Sequence, residues 1–178
     1  NSGAEPKGIV QIAHGMAETA TRYNGFAKVL NEHGYAVYAN DHRGHGKSSP
    51  SLDALGNLAD ANGFDLLVDD MHILNTIIQQ EYAVPLFLLG HSMGSFAAQL
   101  YVLQFPETID GLILSGSNGK QGPMLHLGKL VAKAEKALKG RKAKSPLLTN
   151  LTFGMYNKAF TPNRTGFDWL NRDESEVD

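Results

Sequence analysis

Gly90-His91-Ser92-Met93-Gly94 places a serine between two glycines in the spacing G-x-S-x-G. An apolar run, Leu86-Phe87-Leu88-Leu89, precedes it, and a helical pattern from Met93 to Phe105 follows, ending at Pro106. This context suits a sharp strand-to-helix elbow. The glycines let the backbone turn while neighbouring elements pack close, and the serine Oγ is lifted at the carboxyl end of a sheet. The helix start adds free N–H groups and the positive end of a dipole. The chemistry such a site could do is attack of Ser92 on a carbonyl carbon. The bland alternative is a tight turn that happens to hold a serine. A second element bears on the choice. His14-Gly15-Met16 ends an earlier apolar run. In elbow sites an N–H from such a loop joins the N–H after the serine to hold an oxyanion. The donors expected here are the backbone N–H groups of Met16 and Met93.

Two weaker patterns lie between these. Gly44-His45-Gly46-Lys47-Ser48 ends like a phosphate-binding loop, but Asp41 stands where the first glycine is required, and Ser49-Pro50 suits a loop rather than a helix. Ser49 also breaks G-x-G-x-x-G. Asp41, His42 and His45 could suggest a metal site, yet all would crowd one turn with no distant ligand. No metal and no cofactor are expected.

The elements that must position Ser92 are legible as alternating runs. Gly8 to Ala13, Tyr35 to Ala39, Leu86 to Leu89 and Gly111 to Leu114 read as buried strands. Tyr23, Phe26, Ala27 and Leu30 mark a helix face stopped by Gly34, and Phe64, Leu67, Val68, Met71, Leu74 and Ile78 mark another. Gly44 to Gly63 reads as a long loop. The βαβαβαβ order predicts an α/β fold with a parallel sheet and helices on both faces. After Ser117 the rhythm changes. The expected division is a sheet layer over 1–117 and an appended helical segment over 118–178.

Bulk properties narrow the function. A chain of 178 residues with 42% hydrophobic content suits one globular domain. A formal charge of −2 gives no pull toward nucleic acid. The absence of cysteine excludes disulfide and thiol chemistry. Asn1 to Lys7 shows no signal peptide, and no apolar run approaches the ~20 residues of a membrane helix. A soluble, cytoplasmic protein is expected.

Three stretches together, Ile12-Ala13-His14-Gly15-Met16-Ala17-Glu18 with Arg22-Tyr23, Asn40 to Ser48, and Gly90 to Gly94, resemble the α/β-hydrolase fold. Within it they are similar to the lysophospholipase and monoacylglycerol lipase group, also grouped with serine aminopeptidases. The tail Phe167 to Glu174 resembles the cap region of bacterial members. The resemblance implies a serine esterase or lipase working through an acyl-enzyme on Ser92, with small acyl esters or lysolipids as substrates. It also implies a catalytic acid and histidine after the cap, in the order Ser, Asp or Glu, His. None of the histidines, at 14, 33, 42, 45, 72, 91 and 126, lies there. His91 is expected to point away from Ser92, His14 to prop the oxyanion loop, and His126 to lie on the cap surface. Asp168, Asp173 and Asp178 read as solvated or capping charges. The chain is thus expected to be a piece of a larger enzyme, cut at both ends and inactive alone. Its C-terminal part would belong to the same polypeptide or a second chain. Leu127, Leu130, Val131, Ala134 and Leu138 form an apolar stripe among Lys129, Lys133, Lys136, Lys139, Arg141, Lys142 and Lys144. It is either an ordinary amphipathic cap helix or a peripheral membrane contact. A peptidase or small-ester esterase on the same fold, and a non-catalytic binding module, are the competing functions. Dehalogenase and epoxide hydrolase chemistry would need Asp in place of Ser92.

Overall fold

The computed structural model describes residues 5–119, 124–140, 143–150 and 156–177, with the backbone alone for 124–127 and 176. The His126 side chain, Arg141, Lys142 and Asp178 lie outside the described set. Two compact units divide the chain, Asn1–Gly119 and Lys120–Asp178.

The first unit alternates strand and helix: β1 (Gly8–Ala13), α1 (Asn24–Glu32), β2 (Tyr35–Ala39), α2 (Gly63–Glu81), β3 (Leu86–His91), α3 (Met93–Gln104) and β4 (Gly111–Ser115). The four strands are parallel in the order β2-β1-β3-β4. All six residues of β1 are buried, as expected of a central parallel strand covered on both faces. Alternate residues of β1 go to opposite faces. Ile9 packs with Ile78 of α2, and Ala13 with Leu67, Val68 and Met71 of α2 and Ala97, Ala98 and Tyr101 of α3. Val10 and Ile12 pack with Tyr23 and Leu30 on the other face. Each fully buried Leu, Val or Met contributes about 1.5–3 kcal/mol.

One polar residue is buried in β1. Gln11 donates from Nε2 to the Met71 carbonyl at 2.8 Å and accepts from Asn75 Nδ2 at 3.2 Å. Both polar atoms of the Gln11 amide thereby escape the cost of unpaired burial.

Two consequences of the register matter for function. Ala13 lies opposite Gly90, so the carboxyl ends of β1 and β3 are level. His91 lies opposite Ser115, so β4 reaches the same height. Among the described residues, β2 and β4 are each paired on one side only. Ile113 and Leu114 of β4 are 46% and 41% exposed. No helix among the described residues is long and apolar enough to cross a membrane.

In the second unit, helix α4 spans Met124–Lys139, and a single turn spans Pro146–Thr149. Ser145 caps that turn by accepting the Leu148 N–H, while its hydroxyl donates to the Glu135 carboxylate. Along α4, Leu130 and Leu138 are exposed. Asn157 is buried and organises the tail, donating to the Thr165 carbonyl at 2.7 Å and accepting the Trp169 N–H at 3.2 Å. Asp168 accepts the Arg164 and Thr165 N–H groups at 2.6 and 3.1 Å, and Asp173 accepts that of Ser175 at 3.0 Å. An open pocket of about 430 Å³ is lined by Phe160, Trp169, Leu170, Asn171 and Arg172.

Candidate active site

Strand β3 ends at His91 and α3 begins at Met93, leaving Ser92 alone to reverse the chain. Its backbone sits at φ 50° and ψ −117°. A non-glycine residue there stores roughly 1–3 kcal/mol of strain. Close packing on each side holds it in place. A Cβ at Gly90 would fall 2.5 Å from the Gly94 carbonyl oxygen and 2.7 Å from Ser95 Cα. One at Gly94 would fall 2.5 Å from the Ala13 carbonyl carbon and 2.6 Å from the His14 oxygen. The first turn of α3 therefore lies directly on the ends of β1 and β3. The Ser92 N–H donates to the Ser115 carbonyl at 2.9 Å, and the Ser92 carbonyl accepts from Ser95 N at 2.9 Å and Ser95 Oγ at 2.6 Å. With its main chain occupied, the Ser92 hydroxyl has no partner among the described residues.

The loop after β1 faces it. A Cβ placed on Gly15 would lie 3.2 Å from Ser92 Cβ. Among the described residues, the N–H groups of Met16 and Met93 have no acceptor. Close together lie a hydroxyl without a described partner, the loop that carries the Met16 N–H, and the Met93 N–H at the N-terminal end of a 12-residue helix. Such a helix end carries about half a positive charge. That arrangement can receive a carbonyl oxygen on which negative charge develops.

No described histidine is hydrogen-bonded to Ser92. His91 Nδ1 lies 3.1 Å from Ser115 Oγ. His33 and His45 each place Nδ1 on a backbone carbonyl, and His72 stacks on Phe105 with its centroid 3.9 Å away. His14 is buried; its Nδ1 is 2.7 Å from the Gly15 carbonyl, and its Nε2 accepts the His42 N–H at 2.9 Å. These partners assign the proton to Nδ1 and leave no lone pair for a base.

His42 is fully buried against His14, ring centroids 4.1 Å apart, and neither of its ring nitrogens has a partner among the described residues. Burial first, and then the His14 and His45 imidazoles, push its pKa down to about 3. Burial lowers that of His14 as well. The unfolded chain, with an ordinary histidine, binds the proton first as pH falls. The His42 contribution is therefore full above about pH 6.5 and is lost progressively toward pH 3. We expect about 2 kcal/mol less stability at pH 5 than at pH 7 from this residue. Thermal melts across that range test it. His42→Phe is expected to flatten the dependence, and an unchanged slope in that variant would refute the assignment.

Asp41 organises the neighbouring turn. Its carboxylate accepts the Ala20 and Lys47 N–H groups at 2.8 and 2.7 Å. Burial raises its pKa, but these two donors outweigh that and hold the carboxyl below its usual range. Among the described residues, no group of three His, Cys, Asp or Glu side chains could hold a metal.

A model of the family described as serine aminopeptidase, S33, matches residues 4–178. The chain belongs to the S33 serine aminopeptidase family. Its fold is that of the α/β-hydrolases, in the group that includes the monoacylglycerol lipases. A monoacylglycerol lipase of Mycolicibacterium smegmatis is 36% identical over 113 residues, which are 63% of this chain and 38% of that protein. A monoglyceride lipase of Rattus norvegicus is 30% identical over 174 residues, 97% of this chain and 50% of that one. A thermostable carboxyl esterase from Bacillus coagulans, crystallised with glycerol, superposes with a TM-score of 0.84 at 32% identity, covering 98% of this chain and 56% of the esterase. The S33 chain thus spans about half the length of these relatives.

One residue beside the candidate site escaped the motif reading. Glu18 belongs to the quoted loop, but nothing local assigns it a role. Its carboxylate accepts the Gly15 N–H and, at 2.8 Å, the Tyr23 hydroxyl, and it pairs with Arg22 Nε at 3.1 Å. The one signal was Arg22 four residues on, and that spacing is common on any helix.

Proposed function

We propose that this chain is the nucleophile-bearing part of a carboxylic ester hydrolase of the monoacylglycerol lipase or lysophospholipase type. Ser92 Oγ attacks the ester carbonyl, and the Met16 and Met93 N–H groups receive the oxyanion. A histidine outside these 178 residues takes the serine proton and passes it to the leaving alcohol. An acid, also outside, orients that histidine. The resulting acyl-enzyme is hydrolysed by water.

The observation that carries this reading is the strained Ser92 elbow, its Cβ close to Gly15 and its hydroxyl without a partner among the described residues. The relatives' names support an ester substrate. The half-length match, the lack of any described histidine hydrogen-bonded to Ser92 and the exposed apolar residues of β4 support a base and further strands from other polypeptide. Residues 118–178 are then a helical cap segment, with α4 available for peripheral contact with a lipid surface.

The test is fluorophosphonate labelling of the full-length protein, followed by mass mapping. One adduct on Ser92 is expected, absent in Ser92→Ala. No adduct would favour a binding module. The family description keeps a peptidase in view, and an adduct with turnover of aminoacyl amides but not of monoacylglycerols would favour it.

A further inference from the structure

The loop that carries Met16 contains a glycine held at both of its backbone groups by side chains. The Gly15 carbonyl accepts from His14 Nδ1 at 2.7 Å. The Gly15 N–H donates to Oε1 of Glu18. Glu18 can fold back over so short a span because Ala17 adopts φ 61°, a left-handed turn in a non-glycine residue. The carboxylate is itself enclosed: its side chain is 12% exposed, Tyr23 donates to the same Oε1 at 2.8 Å, and Arg22 takes Oε2 at 3.1 Å. Burial, and then the hydrogen bond to this carboxylate, raise the Tyr23 pKa and keep its phenol a donor.

These contacts bear on the direction of one N–H group. The Gly15–Met16 peptide is planar and trans, so the Gly15 carbonyl and the Met16 N–H point in opposite directions. Fixing the carbonyl fixes the N–H. A glycine has wide freedom about its own φ and ψ, and one anchor would leave the other torsion loose. Two anchors, one on each peptide plane that meets at Gly15, remove that freedom.

We propose that Glu18 is a positioning residue for the oxyanion donor at Met16. This rests on the ester-hydrolase reading of Ser92. The carboxylate locks Gly15 so that the Met16 N–H faces the hydroxyl before substrate arrives. Arg22 offsets the carboxylate's charge, which would otherwise oppose the negative charge growing on the substrate oxygen. A glutamine cannot replace it. Its amide offers one acceptor oxygen and turns an NH2 toward either Gly15 N–H or Arg22, donor against donor.

The test compares wild-type and Glu18→Gln full-length protein on two esters with one acyl chain, a p-nitrophenyl ester and a glycerol ester. A donor displaced by about 1 Å costs on the order of 10² in rate. We expect kcat to fall about 10²-fold on both esters, with KM little changed and the melting temperature nearly kept. Tyr23→Phe leaves the carboxylate on Gly15 but loosens it, and a smaller loss, again in kcat, is expected. A loss confined to the glycerol ester would overturn the proposal, because Glu18 would then be touching the alcohol. Unchanged kcat in Glu18→Gln would overturn it too, and if that variant fails to fold, unchanged kcat in Tyr23→Phe does so. An inactive, unlabelled wild-type protein would instead refute the hydrolase reading itself.

Discussion

Ser92→Gly is expected to abolish ester hydrolysis in the full-length protein while raising its melting temperature. The two effects have separate origins. Removing the hydroxyl removes the nucleophile, and loss of a catalytic serine costs about 10⁶ in kcat. The stability gain comes from the backbone. Serine at φ 50° carries strain that glycine does not. The Ser92 hydroxyl has no partner among the described residues, so its removal sacrifices no hydrogen bond. Against this, glycine adds freedom to the unfolded chain, worth about 0.4–1 kcal/mol. The net expectation is a gain of about 1 kcal/mol, or roughly 2–4 °C. Thermal melts and ester assays on one preparation check both signs. A variant less stable than wild type would mean that the elbow is relaxed rather than strained.

Gly94→Ala is expected to produce the largest stability loss of any single methyl addition in the first unit. The new carbon would meet the Ala13 and His14 main chain, at 2.5 Å from the Ala13 carbonyl carbon. Backbone cannot rotate aside as a side chain does. Either α3 lifts from β1 or the end of β1 bends, and both disturb the elbow. We expect about 3 kcal/mol lost, seen as a fall of roughly 6–12 °C, together with loss of fluorophosphonate labelling. Gly25→Ala is the matched control, since nothing lies within 4 Å of its added carbon and it sits in α1. It is expected to be neutral or slightly stabilising. A mild effect at Gly94 would show that the helix start is less tightly seated than its contacts indicate.

Much of the fold was legible because parallel strands covered on both faces must be short apolar runs. β1 and β2 have the expected ends. β3 runs two residues past Leu89, to His91, because its ladder with β4 continues through Gly90 and His91. Those pairs are made by backbone, and hydropathy does not register them. The closeness of Gly15 to Ser92 was legible because the carboxyl ends of neighbouring parallel strands lie at one end of the sheet. Glu18 was not, since its fold-back depends on a positive φ at Ala17, a residue type that normally avoids it. The orphaned ring of His42 was equally hidden. Its surroundings come from His14 and His45, which a linear reading treats as members of separate motifs.

The donors proposed for the oxyanion are main-chain groups, and that has a consequence for how such a protein diversifies. Every amino acid except proline supplies an N–H, so positions 16 and 93 can change identity without losing the atoms that matter. The Met16 side chain is 45% exposed. Constraint falls instead on Gly90 and Gly94, where no side chain fits. Drift and selection are thereby left free to act on the side chains at 16 and 93. A lineage could exchange one acyl preference for another through those side chains while the reactive atoms stay in place.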